Sequence, residues 1–323
     1  MWDYDSFIGK AKVYFERARE HPRLDYEVLA IWLLLGLEFL LRAPLARIST
    51  TLLAEPDFAL DAAGFPSPEG TEPKSIASKT VIVRLQRVVE GFTPSRATDA
   101  NYLINIRNRE LHTGSVAVGL DSDTWLPRFI RLVDVICAHL TLEPKDLIGS
   151  ELLAQGRALV ADEDKKLVAE VQKRIASARA HFQLLRPDEV ATRQLDIPDA
   201  RGQYEMLPGF GPGPSPAAGA AWSRIVAETG TAPAFIRCPA CGAQAAVRLQ
   251  LVRATSERLE DESIYRDIVF VGTGMTCVVC GLELSSTAEM HAAGLPQQYT
   301  REEEESLEER FGAAYEGEDY GND

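Results

Sequence analysis

The chain has 323 residues, 46% of them hydrophobic, a net charge of −14 and five cysteines. That length and apolar content exclude a disordered chain and leave room for two domains, while so few cysteines exclude a disulfide scaffold. Residues 301–323 hold ten Asp/Glu against two Arg, which is −8 of the total, so the other 300 residues carry only −6 and the global charge does not exclude a local basic site.

Apolar residues recur with a period near 3.6 through the first 186 residues, predicting helices over 3–20, 25–43, 75–91, 98–112, 123–142, 144–160 and 163–185. The opening Met1-Trp2-Asp3-Tyr4-Asp5 has neither the basic start nor the apolar stretch of a secretory signal. The apolar run Val28 to Leu37, closed by Glu38, is shorter than the ~18 residues of a membrane span and reads as a buried helix. A cytoplasmic protein without a membrane partner is therefore expected. Pro44 is expected to end the second helix, and the Pro- and Gly-rich stretch 55–74 to form a long loop. Leu167, Val168, Val171, Ile175, Ala178, Phe182 and Leu185 form an apolar stripe along 163–185, expected to pack on the helical bundle. Cys137, within an apolar helical stretch, reads as a small core residue.

From Pro187 the composition changes, and Leu207-Pro208-Gly209-Phe210-Gly211-Pro212-Gly213-Pro214-Ser215-Pro216 cannot sustain a helix or an interior strand, marking a linker over 187–234. Beyond it stand two matched knuckles, Cys238-Pro239-Ala240-Cys241-Gly242 and Cys277-Val278-Val279-Cys280-Gly281, separated by strand-like runs at 243–256 and 264–276. Two Cys-x-x-Cys turns can complete a tetrahedral all-thiolate site, so Cys238, Cys241, Cys277 and Cys280 are the expected ligands of one structural Zn2+ in a zinc ribbon over 235–296. Each following glycine tolerates the positive φ that turns backbone N–H groups toward the sulfurs. Four thiolates leave no open coordination position, so catalysis must lie elsewhere. Arg237, Arg248 and Arg253 offer the ribbon a modest basic surface, largely offset by acidic residues at 257–262, and the acidic tail over 297–323 reads as a solvated, partly helical or disordered end.

In the helix at 98–112, Asn105-Ile106-Arg107-Asn108-Arg109-Glu110-Leu111-His112-Thr113-Gly114 places Asn108 and His112 one turn apart, with Arg107 beside Asn108 and Gly114 as the helix stop. His112 thus falls in the last turn, where the helix dipole favours an imidazolium. These residues resemble the motif of the HEPN superfamily, all-helical bundles that include ribonucleases: an Arg, a polar residue, and a His a few positions on. Arg107, Asn108 and His112 match it over roughly residues 1–145. Glu38 and Arg42, one turn apart on the second helix, are similar to an acidic-x3-basic pair of some members.

The resemblance implies an N-terminal HEPN-like bundle (1–145), and with the helical extension (146–186) and the small β zinc-ribbon domain read from the sequence pattern the expected fold is mainly α. It also implies a metal-independent endoribonuclease, in which His112 is the general acid/base, Arg107 the phosphate clamp and Asn108 an orienting group. RNA would be cleaved to a 2′,3′-cyclic phosphate and a 5′-hydroxyl by a homodimer whose motifs share one cleft. A toxin or antiviral effector, with an antitoxin or defence-system protein as partner, is the corresponding setting. The alternative is a noncatalytic helical scaffold that dimerises and docks a partner through its ribbon, with Arg107 a surface cation paired to Glu110 and His112 a helix cap. His21, His139, His181 and His291 read as structural or exposed.

Overall fold

The computed structural model describes residues 2–20, 26–65, 73–113, 121–195, 233–261 and 263–311. Expectations placed on His21, Gly114, the Pro/Gly run at 207–216 and the end of the tail lie outside these residues. The chain divides into two compact units, 1–165 and 166–323. It is mainly α, with a C-terminal antiparallel sheet that carries a cysteine cluster.

In the first unit, α1 (Tyr4–Glu20) packs along α2 (Tyr26–Ile48). Gly36 permits this approach, because a methyl group there would lie 2.4 Å from the Phe15 ring. Helix α2 is the core of the unit: Leu33, Leu37, Leu40 and Leu45 are fully buried. By length and composition Val28–Ile48 could cross a membrane, but 61% of its apolar window is buried inside this unit. The helix runs through Pro44 instead of ending there. Pro removes one helical hydrogen bond, but the following turn buries Leu45 and Ala46 and carries Arg47, whose guanidinium donates to the Leu140 carbonyl at 3.2 Å.

A short turn at 50–53 precedes the expected loop, and a turn at 56–58 and helix α3 (Ala59–Ala62) occupy part of it. Helix α4 (Ser78–Val88) follows, then α5 (Pro94–His112), which starts four residues earlier than the apolar period predicts. Thr93 is the reason: its hydroxyl accepts from the Arg96 N–H, and Pro94 suits the first helical position. Helix α6 (Ser122–Leu140) buries Phe129, Ile130, Val133 and Cys137, and α7 (Pro144–Ile148) ends at Gly149 with φ of 84°. Helix α8 (Ser150–Leu184) is continuous where two helices were expected, since Ala161-Asp162 offers no breaker. Helix α9 (Pro187–Leu195) occupies the first part of the expected linker.

The second unit is a sheet of β1 (Ala234–Arg237), β2 (Gln244–Ala254), β3 (Arg258–Glu260), β4 (Ser263–Thr276), β5 (Glu283–Leu284) and β6 (Gln298–Ser306). Strand β4 is the hub, pairing antiparallel with β2, β3, β5 and β6. Helices α10 (Thr287–Ala292) and α11 (Leu307–Phe311) flank β6 in sequence. Two expectations are corrected here. The stripe on 163–185 packs against the sheet, where Val171 and Ile175 are buried with Val247, Leu249 and Phe270, and Leu167, Ala178 and Phe182 pack alongside. The acidic tail is partly a strand: Gln298–Ser306 pairs residue for residue with β4, from Val271 to Ser263. Arg266 meets Glu303 at 2.8 Å, Arg258 meets Glu302 at 2.7 Å, and the Tyr265 hydroxyl donates to Glu304 at 2.9 Å. Cross-strand partners of this kind override the poor strand propensity of four consecutive glutamates.

Candidate functional site

The two cysteine knuckles fold as near copies. Gly242 and Gly281 take φ of 77° and 76°, and their N–H groups donate to the Cys238 and Cys277 carbonyls, each at 2.9 Å. The Cys238 and Cys277 N–H groups in turn donate to the Ala243 and Leu282 carbonyls. The Ala240 N–H points at the Cys238 sulfur, 3.4 Å away. All four sulfurs lie within 4.8 Å of one another, and the pairs Cys238–Cys280 and Cys241–Cys277 are each 3.6 Å apart.

A tetrahedral ion with bonds of ~2.3 Å to sulfur needs sulfurs about 3.8 Å apart, so the cluster has the size and donor set for a metal ion. Hydrogen bonds from Cys277 and Cys280 hold the Cys238 thiol far below its usual range, and the same contact with Cys238 drives Cys277 well above it. One thiolate is accommodated by sharing protons, whereas the full set requires the charge of a cation.

Helices α8 and α9 grip both knuckles, which the sequence did not reveal. Arg179 donates to the Ala240 and Pro239 carbonyls of the first, at 3.3 and 3.1 Å, and Arg193 donates to the Val279 carbonyl of the second at 2.8 Å. Arg237 and Arg248, expected as basic surface, also donate to backbone carbonyls, those of Gly242 and Leu284. A guanidinium directed at the fold is a weaker handle for nucleic acid than a free one.

The second site lies in the helical unit. Ala100, Leu103 and Ile104 form the buried face of α5, and Arg107 extends this face by one turn. Its guanidinium forms an ion pair with the Glu38 carboxylate of α2. On the same carboxylate, Arg42 sits 3.0 Å away and the Ser78 hydroxyl donates at 3.0 Å. Arg42 also donates to the Ser78 hydroxyl and the Glu38 carbonyl. Burial, the largest influence, lowers the Arg42 pKa below the usual guanidinium range. The structure thus joins Arg107 to the Glu38–Arg42 pair.

It does not direct Arg107 and His112 the same way. Five residues separate them by about 140° around the helix and about 7.5 Å along it. Asn108 is half-buried one turn before His112, and His112 is exposed in the last turn of α5.

Beside the cluster, a cavity of about 480 Å³ opens between the N-terminus and α2. Trp2, Phe7 and Phe39 supply aromatic walls, Lys10, Glu38 and Arg42 the charges, and Ser6 and Ser75 hydroxyls. Sequence reading missed this pocket, because Trp2, Ser6 and Lys10 carry no motif and only the packing of α1 on α2 brings them beside Glu38. A further charged group, Arg96 and Arg128 flanking the buried Asp99 at 2.9 and 3.0 Å, ties α5 to α6. No protein-family model, no curated protein and no solved structure matches the chain.

Proposed function

We propose that the protein is a metal-independent endoribonuclease of HEPN type, its centre built from Arg107, Asn108 and His112, and that its cysteine cluster holds one structural Zn2+. The carrying observation is the charge of the Arg42–Glu38–Arg107 cluster. Two guanidiniums share one carboxylate, leaving a formal surplus of one positive charge at the foot of the turn that ends in His112. A phosphodiester carries one negative charge and neutralises that surplus.

Chemistry follows from these groups. The 2′-oxygen attacks phosphorus as the imidazole of His112 takes its proton, and the new 2′-oxygen–phosphorus bond closes a cyclic phosphate. The phosphorus–5′-oxygen bond breaks, and the 5′-oxygen receives a proton from the imidazole of a second copy facing the same cleft. Arg107 stabilises the charge that gathers on the phosphoryl oxygens. Asn108, on the His112 side of the helix, orients the ribose or the imidazole. The zinc ribbon supplies a rigid surface for a partner protein, such as an antitoxin or another component of a defence system.

The noncatalytic scaffold has two observations in its favour: Arg107 already has a partner in Glu38, and Arg107 and His112 lie about 140° apart around α5. The two readings separate on RNA incubated in excess EDTA with wild type, His112→Ala and Arg107→Ala. Cleavage by wild type to 2′,3′-cyclic phosphate ends, lowered about 100-fold or more by His112→Ala, is expected. Intact RNA with folded wild type, or equal rates in wild type and His112→Ala, would sink the nuclease.

A further inference from the structure

The four cysteines that fit a metal ion also stand in place for a second kind of chemistry. Two sulfur contacts of 3.6 Å, Cys241 with Cys277 and Cys238 with Cys280, each cross from one knuckle to the other. A disulfide in either pair requires the sulfurs to close by about 1.5 Å, to the ~2.05 Å of the bond. The knuckles are near copies except in exposure: Cys241 is partly exposed, whereas its counterpart Cys280 and the two leading cysteines, Cys238 and Cys277, are at most 3% exposed. An oxidant in solution therefore meets the cluster at Cys241, and the sulfur in contact with it belongs to Cys277. The knuckles also have supports that need no ion. Arg179 donates to the Pro239 and Ala240 carbonyls and Arg193 to that of Val279, and Val247, Met275 and Leu284 are buried with the cysteines in one apolar core.

From these features we infer that the cysteine cluster is a peroxide-sensitive switch, in which oxidation across the knuckles displaces the metal ion and leaves the sheet folded. This rests on the reading that the cluster holds Zn2+. The Cys241 thiolate attacks one oxygen of hydrogen peroxide, the O–O bond breaks, and Cys241 becomes a sulfenic acid as hydroxide leaves. The Cys277 thiolate then attacks the Cys241 sulfur, closing the disulfide and expelling the second oxygen as hydroxide. Two thiolates have given two electrons to one peroxide, and Cys238 and Cys280 repeat the step with a second. After the first bridge only two sulfurs remain of the four that a closed site requires, so metal is lost at that point. Each bridge ties the β1–β2 turn to the β4–β5 turn, the task the ion performs in the reduced protein. Four thiolates around a divalent ion carry a formal charge of −2 and two disulfides carry none, so oxidation changes the charge of the knuckles while their fold persists.

Full-length protein is loaded with Zn2+, its metal content is measured, and it is treated with increasing hydrogen peroxide beside a chromophoric chelator. Release of the ion should accompany the loss of the first two thiols. Peptide mapping with fragmentation should find Cys241 joined to Cys277 as the first bridge and Cys238 joined to Cys280 as the second, with Cys137 still reduced. Resistance to trypsin across β2 and β4 should be retained, and dithiothreitol with added Zn2+ should restore both thiols and metal. Bridges within a knuckle, from Cys238 to Cys241 or from Cys277 to Cys280, overturn the inference. So do sulfinic acids without bridges, new tryptic cuts in the sheet on release, or thiols that survive peroxide concentrations that oxidise free glutathione. The two readings fail separately. Protein that takes up no Zn2+ fails the metal reading at the first measurement, before peroxide is added, whereas a loaded protein that fails the peptide map removes the switch alone.

Discussion

Glu38→Gln isolates the charge that holds the helical site together. The glutamate side chain is 17% exposed, and its partners Arg42 and Arg107 are 9% and 12% exposed, so neither guanidinium can turn to water without disturbing the packing of α2 and α5. The amide keeps the volume and can still accept from Ser78, but it leaves two cations sharing a desolvated site. Removing one member of a buried ionic group costs on the order of 3–5 kcal/mol, because uncompensated charge remains behind. In a unit of this size each kcal/mol lowers the melting temperature by about 2–4 °C, so the helical transition should fall by roughly 6–20 °C. Circular dichroism at the helix band measures it. A second substitution checks the cause: adding Arg107→Met to Glu38→Gln removes one of the stranded cations and should recover part of the loss. A fall under about 3 °C for the single variant, or no recovery in the double, would refute the ionic account.

Four other outcomes are expected. Chelation in native buffer should expose four thiols to a thiol reagent and not five, since Cys137 is fully buried and desolvation raises its pKa to about 12; measured near pH 8, the fifth should react only in denaturant. Because the unfolded Cys137 thiol ionises near 9.0 while the folded one stays neutral to about 12, this group favours unfolding progressively as pH rises from 9 to 12, by about 1.4 kcal/mol per pH unit, and protects nothing below 9. Arg179→Ala with Arg193→Ala removes the donors to both knuckles and should speed metal loss to a chromophoric chelator severalfold, whereas Arg186→Ala, on an exposed arginine between the two helices, should not. Ending the chain at Gln297 removes β6 and uncovers the edge of β4, so light scattering should rise on warming, while a merely solvated tail would leave it unchanged.

The difference between what was legible and what was not follows the range of the interactions. The knuckles, their glycines and the strands between them were readable because ligand spacing and positive φ are local requirements. The helices of the first unit were readable for the same reason, apart from their ends. Pro44 misled because the burial of Leu45 is a tertiary effect, invisible to a rule about one residue. The tail misled because its glutamates are poor strand formers until Tyr265 and Arg266 stand opposite them and Arg258 reaches Glu302 from β3. The stripe on α8 gave a buried face but not its partner, since amphipathicity states only that something covers it. At the site, Arg107 and the Glu38–Arg42 pair were each singled out in the sequence, but their meeting depends on how α5 crosses α2. The pocket beside them, made by Trp2 and Lys10, had no local mark.

On the proposed reading, Arg107 serves stability and chemistry together. Its ion pair with Glu38 fixes the guanidinium before any substrate arrives, so no side-chain freedom must be lost in the reaction itself. The same pair would silence a lone arginine, because a carboxylate competes with phosphate for the same donors. Arg42 changes that balance, for it binds the other face of Glu38 and leaves the group one positive charge in excess. On that reading, a phosphate approaching Arg107 meets a cluster that is already rigid and still carries one formal positive charge in excess. Two arginines and one glutamate provide what one free arginine would not: a positive charge that is fixed in place.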